Sequence, residues 1–316
     1  MSSKNKWRSL LFLILVFLLI LVLVGCGSHA ATKEHSVAQP KAVETAPNSQ
    51  AADQEKQPAA APARLVVHFI DVGQGDSILL QLPDGRTMLV DAGPDEAGSE
   101  VVSYLQREGV KRIDYLVATH PHADHIGGMD EVVRAFEIGK VYMPRVTANT
   151  ESFENLLRSL RAKGLKITPA RAGLAVLDED GLKASFLAPC RLRYEELNDW
   201  SAVLKVSYGN TSFLLTGDAQ AESELEMLAS GADLKADVLK VGHHGSSSST
   251  SWAFLEAVSP KYAVICVGAG NDYGHPHRET LAKLAAAGVK VYRTDRDGTV
   301  VFVSDGESLS VKRLRR

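Results

Sequence analysis

Hydrophobic and polar positions divide the chain into three regimes. An unbroken apolar stretch covers 10–24, and 27–62 has almost no large apolar side chain. From 64 onward, short apolar runs are punctuated by turn residues. That pattern predicts strands over 65–70, 77–82 and 87–91, the last two joined by Pro83-Asp84-Gly85. The spacing of Val101, Val102 and Leu105 predicts a helix over 98–108, and the apolar run 113–118 predicts a buried strand. The same order then returns. Strands are predicted over 203–207 and 212–215 with a turn at Gly209-Asn210, then a helix over 221–228 and a strand over 237–241. Each hairpin ends in an aspartate beside glycine, as Asp91-Ala92-Gly93 and Gly217-Asp218. Each later strand leads into histidines. The repetition predicts a duplicated α/β unit, with two sheets face to face and helices outside them.

The first two regimes lie outside that unit. Lys4, Lys6 and Arg8 precede the apolar stretch, which ends in Leu23-Val24-Gly25-Cys26. A basic start and a short apolar core read as an export signal, too short for a comfortable membrane span. Its ending resembles a bacterial lipobox, which implies a lipoprotein signal peptide over 1–25 and lipidation of Cys26; the alternative is an uncleaved anchor helix. Either reading ties the protein to the membrane outside the cytoplasm. Residues 26–63 then form the lipidated cysteine and a linker too poor in apolar side chains to offset its ordering entropy. As a flexible coil the linker would span about 33 Å r.m.s.. The folded domain is placed at 64–316, and a monomer is expected.

Charge narrows the partners. Removing Lys4, Lys6 and Arg8 with the signal takes the formal net charge from −3 to −6. That is not the footprint of an avid, non-specific nucleic-acid binder. The tail Lys312-Arg313-Leu314-Arg315-Arg316 reads as solubilising. Cys190 and Cys266 have no spacing that supports a disulfide, so two half-buried thiols are expected.

The chemistry gathers in His120-Pro121-His122-Ala123-Asp124-His125, at the end of the predicted strand 113–118. The chain has only 10 histidines, and three of them sit in these six positions. Imidazole and carboxylate are ligands for zinc, manganese and iron, and a loop leaving a strand end can bring them to one point. The run resembles the H-x-H-x-D-H signature of the metallo-β-lactamase superfamily. The resemblance implies an αββα four-layer sandwich with a two-metal site at the edge where the halves meet. It also implies residue roles. His120 and His122 would hold the first ion, Asp124 and His125 the second, and Asp218 would bridge them. His243, or else His244, would complete the second site, and Asp91 would orient the histidine loop from behind. Without the resemblance, Asp218 reads as a helix N-cap.

One expected ligand is missing. The superfamily supplies a further first-site histidine, but no histidine occurs between His125 and His243. In its place stands Asn198-Asp199-Trp200-Ser201, where Asn198 and Ser201 are the candidates for an oxygen donor. With Phe69-Ile70-Asp71-Val72-Gly73-Gln74-Gly75-Asp76, Lys240-Val241-Gly242-His243-His244 and Tyr273-Gly274-His275-Pro276-His277, this departure resembles the extracytoplasmic hydrolase domain of ComEC competence proteins. The channel portion of those proteins has no counterpart here, so a role in DNA uptake does not follow. Two divalent ions, zinc or manganese, are implied, with the harder first site favouring manganese. Such ions make hydroxide available near neutral pH and clamp an in-line displacement at phosphorus.

Asp124, as ligand and catalytic group, and His275 and His277, as phosphate contacts or proton donors, complete the expected machinery. Asp71, Gln74 and Asp76 read either as turn residues or as substrate-positioning groups. The function expected is a metal-dependent phosphodiesterase acting on extracellular DNA. The alternatives are an esterase of cell-wall phosphodiesters such as choline-decorated teichoic acid, and a non-catalytic binding lipoprotein with a relic site. The missing histidine counts against a β-lactamase or lactonase.

Overall fold

The computed structural model describes residues 63–315. The signal over 1–25, Cys26 and the linker up to residue 62 lie outside the described residues. The first half contains β1 (Leu65–Phe69), β2 (Ile78–Gln81), β3 (Thr87–Val90), α1 (Gly98–Arg107), β4 (Arg112–Val117), α2 (Ala123–Ile126), α3 (Met129–Ala135), β5 (Glu137–Met143), α4 (Glu151–Ala162) and β6 (Ile167–Pro169). The second opens with β7 (Ala175–Glu179), β8 (Leu182–Phe186), β9 (Leu204–Tyr208), β10 (Thr211–Leu215), α5 (Ala221–Ala229) and β11 (Val238–Lys240). It continues with α6 (Trp252–Val258), β12 (Tyr262–Ile265), α7 (Arg278–Ala286), β13 (Lys290–Arg293) and α8 (Thr294–Asp297), and ends in β14 (Thr299–Ser304) and β15 (Leu309–Leu314).

The strands form an eight-stranded sheet, β15-β14-β1-β2-β3-β4-β5-β6, and a seven-stranded sheet, β13-β12-β11-β10-β9-β8-β7. The duplication is visible in the pairing. From β1 to β6 the ladder runs antiparallel twice and then parallel three times. From β8 to β13 it repeats that sequence. Two additions break the symmetry: β7 extends the second sheet, and the final hairpin returns to the first, with Leu65 opposite Ser304.

Alternation along the strands explains the layering. Phe69, Val117, Phe186, Phe213 and Phe302 point into one core between the sheets. The intervening Leu79, Leu89 and Leu116 pack under the helices of the first half with Val101, Leu105 and Val132. Leu214 and Leu239 do the same in the second half with Phe254, Leu255 and Leu284. A helix layer, two sheets and a second helix layer result, the mixed α/β sandwich expected. Every strand end that carries a candidate ligand lies on one edge, the side on which parallel strands finish.

The cysteines differ from expectation. Both are free, but Cys266 is fully buried and Cys190 is exposed, so neither is half-buried. Among the described residues, no helix is long and apolar enough to cross a membrane.

Candidate metal centre

Each predicted ligand sits where a strand stops. After β4, Thr119 and His120 leave the sheet, and the single-turn helix α2 carries Asp124 and His125. Asp91, one residue past β3, has a left-handed backbone (φ 58°) and is fully buried. Its Oδ1 accepts from the Thr119 backbone N–H at 2.8 Å, and its Oδ2 accepts from Thr119 Oγ1 at 2.6 Å and pairs with His125 Nδ1 at 2.8 Å. The carboxylate therefore orients the loop and the His125 ring from behind. With Nδ1 engaged there, His125 Nε2 faces the opposite way.

Asp218 lies at the centre of what Nε2 faces. Its Oδ1 is 3.2 Å from His125 Nε2. Its Oδ2 is 3.4 Å from His244 Nε2, 3.8 Å from His120 Nε2 and 3.9 Å from His243 Nε2. The helix-cap alternative fails: α5 is capped at Gln220 with no side-chain cap. Asp199 instead holds that helix start, its Oδ1 accepting from Gln220 N at 3.1 Å and Ser223 N at 3.2 Å. Asp124 Oδ2 closes the group, 3.1 Å from His244 Nε2 and 3.9 Å from His125 Nε2.

The donor atoms of Asp124, His125, Asp218 and His244 all lie within 4.8 Å of one another. Two of them, His125 Nε2 and Asp218 Oδ1, are buried without a hydrogen-bond partner. Two carboxylates and two imidazoles converging with orphaned lone pairs fit a divalent cation.

This geometry changes one assignment. The sequence favoured His243 over His244 for the second ion, yet His244 enters the tight group. Both residues have left-handed backbones, φ 47° and 51°, which turn successive rings in different directions. His244 is anchored by Nδ1 on the Cys266 carbonyl at 2.9 Å, leaving Nε2 for the centre. His243 borders the first-site side, with Nδ1 on Ser248 Oγ at 3.1 Å and Nε2 beside Asn198 Nδ2 at 3.4 Å.

On that side His120 Nε2 and His122 Nδ1 lie 3.0 Å apart. Ser201 does not reach the same point. It sits behind His120, 3.4 Å from Nδ1, and its Oγ accepts from the Asp218 N–H at 3.0 Å. Asn198 remains the oxygen candidate, because its Oδ1 is buried and unpartnered and its Nδ2 lies beside His243 Nε2.

Beneath the centre lies a pair that sequence reasoning missed. Lys240, fully buried at the end of β11, places Nζ 2.7 Å from Asp76 Oδ2. Asp76 Oδ1 lies 3.5 Å from His244 Nδ1. Asp76 thus supports the ligand rings rather than meeting substrate. The available signal was a lysine inside an otherwise apolar parallel strand, a position charged residues rarely occupy unpaired. Asp76, Asp91 and His125 also form a close group, but there Asp76 is already paired with the Lys240 ammonium and Asp91 with His125 Nδ1. Gly75 makes the approach possible: a Cβ there would meet the Asp124 carbonyl oxygen at 2.2 Å.

Electrostatics follow from burial and neighbours. Burial pushes the His120 imidazole well below its ordinary range, so it is neutral and ready as a ligand. Burial works in the same direction on His125 and His244, but Asp218 and the other carboxylates overcome it and hold both well above that range. Burial would raise Asp218, yet His244 and His125 keep its carboxyl well below the usual value.

The centre opens into a cleft of about 550 Å³ lined by Gln74, Asp95, Glu96, His122, Tyr273 and His275 among others. His275 enters it as expected. Burial, then His243 and His244, bring its pKa down to about 4, so it is neutral at pH 7 and not a cationic phosphate clamp. His277 does not line the cleft. Its Nδ1 accepts from Ser247 N–H at 2.9 Å and its Nε2 lies 3.3 Å from the Tyr273 carbonyl, so it braces two loops. Asp71 is a turn residue, with Oδ1 accepting from Gly73 N–H at 3.3 Å.

Comparison with known proteins agrees with the fold. A profile of the metallo-beta-lactamase superfamily matches residues 70–269. The chain is 34% identical over 253 residues to ComE operon protein 3 of Bacillus subtilis, covering 75% of this chain and 32% of that protein. Competence protein ComA of Neisseria gonorrhoeae is 33% identical over 247 residues, covering 78% and 33%. Recombination protein 2 of Haemophilus influenzae is 34% identical over 254 residues, covering 79% and 30%. The chain thus spans about a third of the length of these relatives. With the histidine loop, the duplicated sheets and the convergent carboxylates in place, the chain belongs to the metallo-beta-lactamase superfamily, with homologues among competence proteins of the ComEC type.

Proposed function

We propose that this metal-dependent hydrolase is a phosphodiesterase that cleaves single-stranded DNA outside the cytoplasm, held to the membrane through a lipid on Cys26. The observation that carries the hydrolytic part is Asp218, whose two oxygens face imidazoles from both halves of the fold. Asp124, His125, Asp218 and His244 would hold one divalent ion. His120 and His122, with Asp218 shared and Asn198 nearby, would hold a second, where an oxygen in place of a third imidazole suits manganese better than zinc. Such ions supply Lewis acidity and a water acidic enough to ionise near neutral pH. The protein's own residues fix the geometry: Asp91 locks the His125 ring, Cys266 locks His244, and Asp76 with Lys240 supports both from below. Neutral His275 at the cleft wall can hydrogen-bond a phosphate oxygen or the leaving group. Support for DNA comes from the relatives, whose names speak of competence and recombination.

A second reading rests on charge. Asp95 and Glu96 rim the cleft, and neither lysine nor arginine is among its lining residues. That favours a zwitterionic substrate such as a choline-decorated wall polymer. The experiment is a parallel panel. Manganese-loaded protein is offered single-stranded DNA, duplex DNA, choline-decorated teichoic acid and bis-p-nitrophenyl phosphate. Turnover of single-stranded DNA is expected. Hydrolysis of the teichoic acid alone would replace the first reading with the second, and a protein that binds no metal would end both.

A further inference from the structure

One wall of the cleft carries a run of rings whose outermost member, Tyr273, has no part in hydrolysis at phosphorus. His275 lies 6.4 Å, centroid to centroid, from His244 in the metal cluster. Tyr273 stacks on His275 at 5.6 Å with an interplanar angle of 21°. Tyr273 is 66% exposed, so the outer end of the stack is open to solvent inside the cleft mouth. The turn that carries it is braced. The Asn271 side chain bonds the His275 N–H at 3.0 Å and its carbonyl at 2.7 Å, and His277 Nε2 sits 3.3 Å from the Tyr273 carbonyl. Gly274, at φ 71°, supplies the left-handed residue the turn requires.

A braced aromatic ring exposed in the mouth of this cleft offers an apolar face with a polar tip, the kind of surface used in recognition. We propose that Tyr273 is a stacking platform for the nucleobase next to the phosphodiester being cleaved. The proposal rests on the single-stranded DNA reading above. Base–aromatic stacking tolerates every base and binds single strands without sequence preference. Among the described residues the lining of the cleft offers no lysine or arginine, so inside it stacking on Tyr273 is the contact open to a base. A rigid aromatic does this at little entropic cost. A quaternary ammonium would instead be enclosed by several rings, each presenting a face. Here Tyr273 stacks on His275 alone, His243 and His277 meet His275 edge-on, and the exposed tyrosine suits a planar partner.

The test uses full-length, manganese-loaded protein in detergent, with Tyr273→Ala and Tyr273→Phe. Each is assayed for KM and kcat on an oligothymidylate, on the same strand made abasic, and on p-nitrophenyl phosphorylcholine. Tyr273→Ala should raise KM on the oligothymidylate about tenfold or more, leave the abasic strand within twofold, and leave kcat little changed. Tyr273→Phe should stay close to wild type on all three. Binding of the two strands to metal-free protein, read by fluorescence anisotropy, should show the same split. If Tyr273→Ala weakens both strands equally, or neither, the platform is refuted while the nuclease reading stands. If the wild type cleaves neither strand but hydrolyses the phosphorylcholine ester, the DNA reading itself fails, and Tyr273 then serves the choline group or nothing.

Discussion

Lys240→Met would test whether the buried pair beneath the centre is a structural support. Nζ lies 2.7 Å from Asp76 Oδ2, and the two side chains are 0% and 1% exposed. Two further acceptors, the Val241 and Gly217 carbonyls at 2.9 and 3.2 Å, hold the ammonium in place. At an effective dielectric near 20 the gross attraction at this distance is about 6 kcal/mol, most of it offset by taking both charges out of water. Removing one partner exposes the uncompensated half, which typically costs about 3–5 kcal/mol. In urea with a chelator present, the unfolding midpoint should fall by roughly 1–2 M. Adding Asp76→Asn to Lys240→Met should recover most of that loss, because the orphaned charge goes with it.

The pH dependence follows from the same pair. Burial opposes ionisation of Asp76, and Lys240 overcomes it, so the folded carboxyl titrates below its ordinary value. In the wild type its contribution is full above the unfolded carboxylate pKa and is lost as pH falls through the lower folded one. Without Lys240, burial raises the folded pKa, so the variant's deficit should be largest near pH 7 and shrink in acid. A single variant within about 1 kcal/mol of wild type at pH 7 would refute the reasoning, as would a double variant weaker than the single.

Asp218→Asn should lower metal stoichiometry and turnover together, measured by elemental analysis and phosphodiester hydrolysis; full activity with two bound ions would remove Asp218 from the centre. Asn198→His should shift the metal preference from manganese toward zinc, read by activity and by zinc titration. Ser201→His, at a fully buried site behind His120, should instead cost about 1–3 kcal/mol of stability without tightening zinc. Cys26→Ala should move the protein out of the membrane fraction or leave an unprocessed precursor; unchanged fractionation and labelled-palmitate incorporation would refute lipidation.

The candidate residues most legible in the sequence are those that follow a strand end. Asp91, His120 and Asp218 each follow an apolar run by one to three positions, and the pairing pattern repeats in both sheets. Strand boundaries moved by a residue or so, as Asp91 shows: expected as the last position of a strand, it has already turned left-handed to face Thr119 and His125. What pattern could not supply was the return of the C-terminal hairpin to β1. That pairing joins the two ends of the described chain through Leu65 and Ser304, and no local signal encodes it.

The His243 and His244 exchange shows where such reading stops in physical terms. Adjacent residues in an extended strand point to opposite faces, so one step in sequence ordinarily decides which side chain meets the site. Here both residues leave β11 with positive φ, and alternation no longer applies. The choice passes to contacts that are remote in sequence: the Cys266 carbonyl takes one ring, and Ser248 with Asn198 takes the other. Positive φ in residues with side chains carries strain of about 1–3 kcal/mol each, which persists when surrounding contacts over-determine it. Those contacts come from Cys266 just past β12, from Ser248 and from Asn198 in the segment that replaces the missing histidine. The same backbone therefore links the two candidate metal positions, because His244 turns toward Asp124 while His243 turns toward Asn198. A substitution at Asn198 should consequently be felt first through the His243 ring, before any change reaches the four-residue cluster.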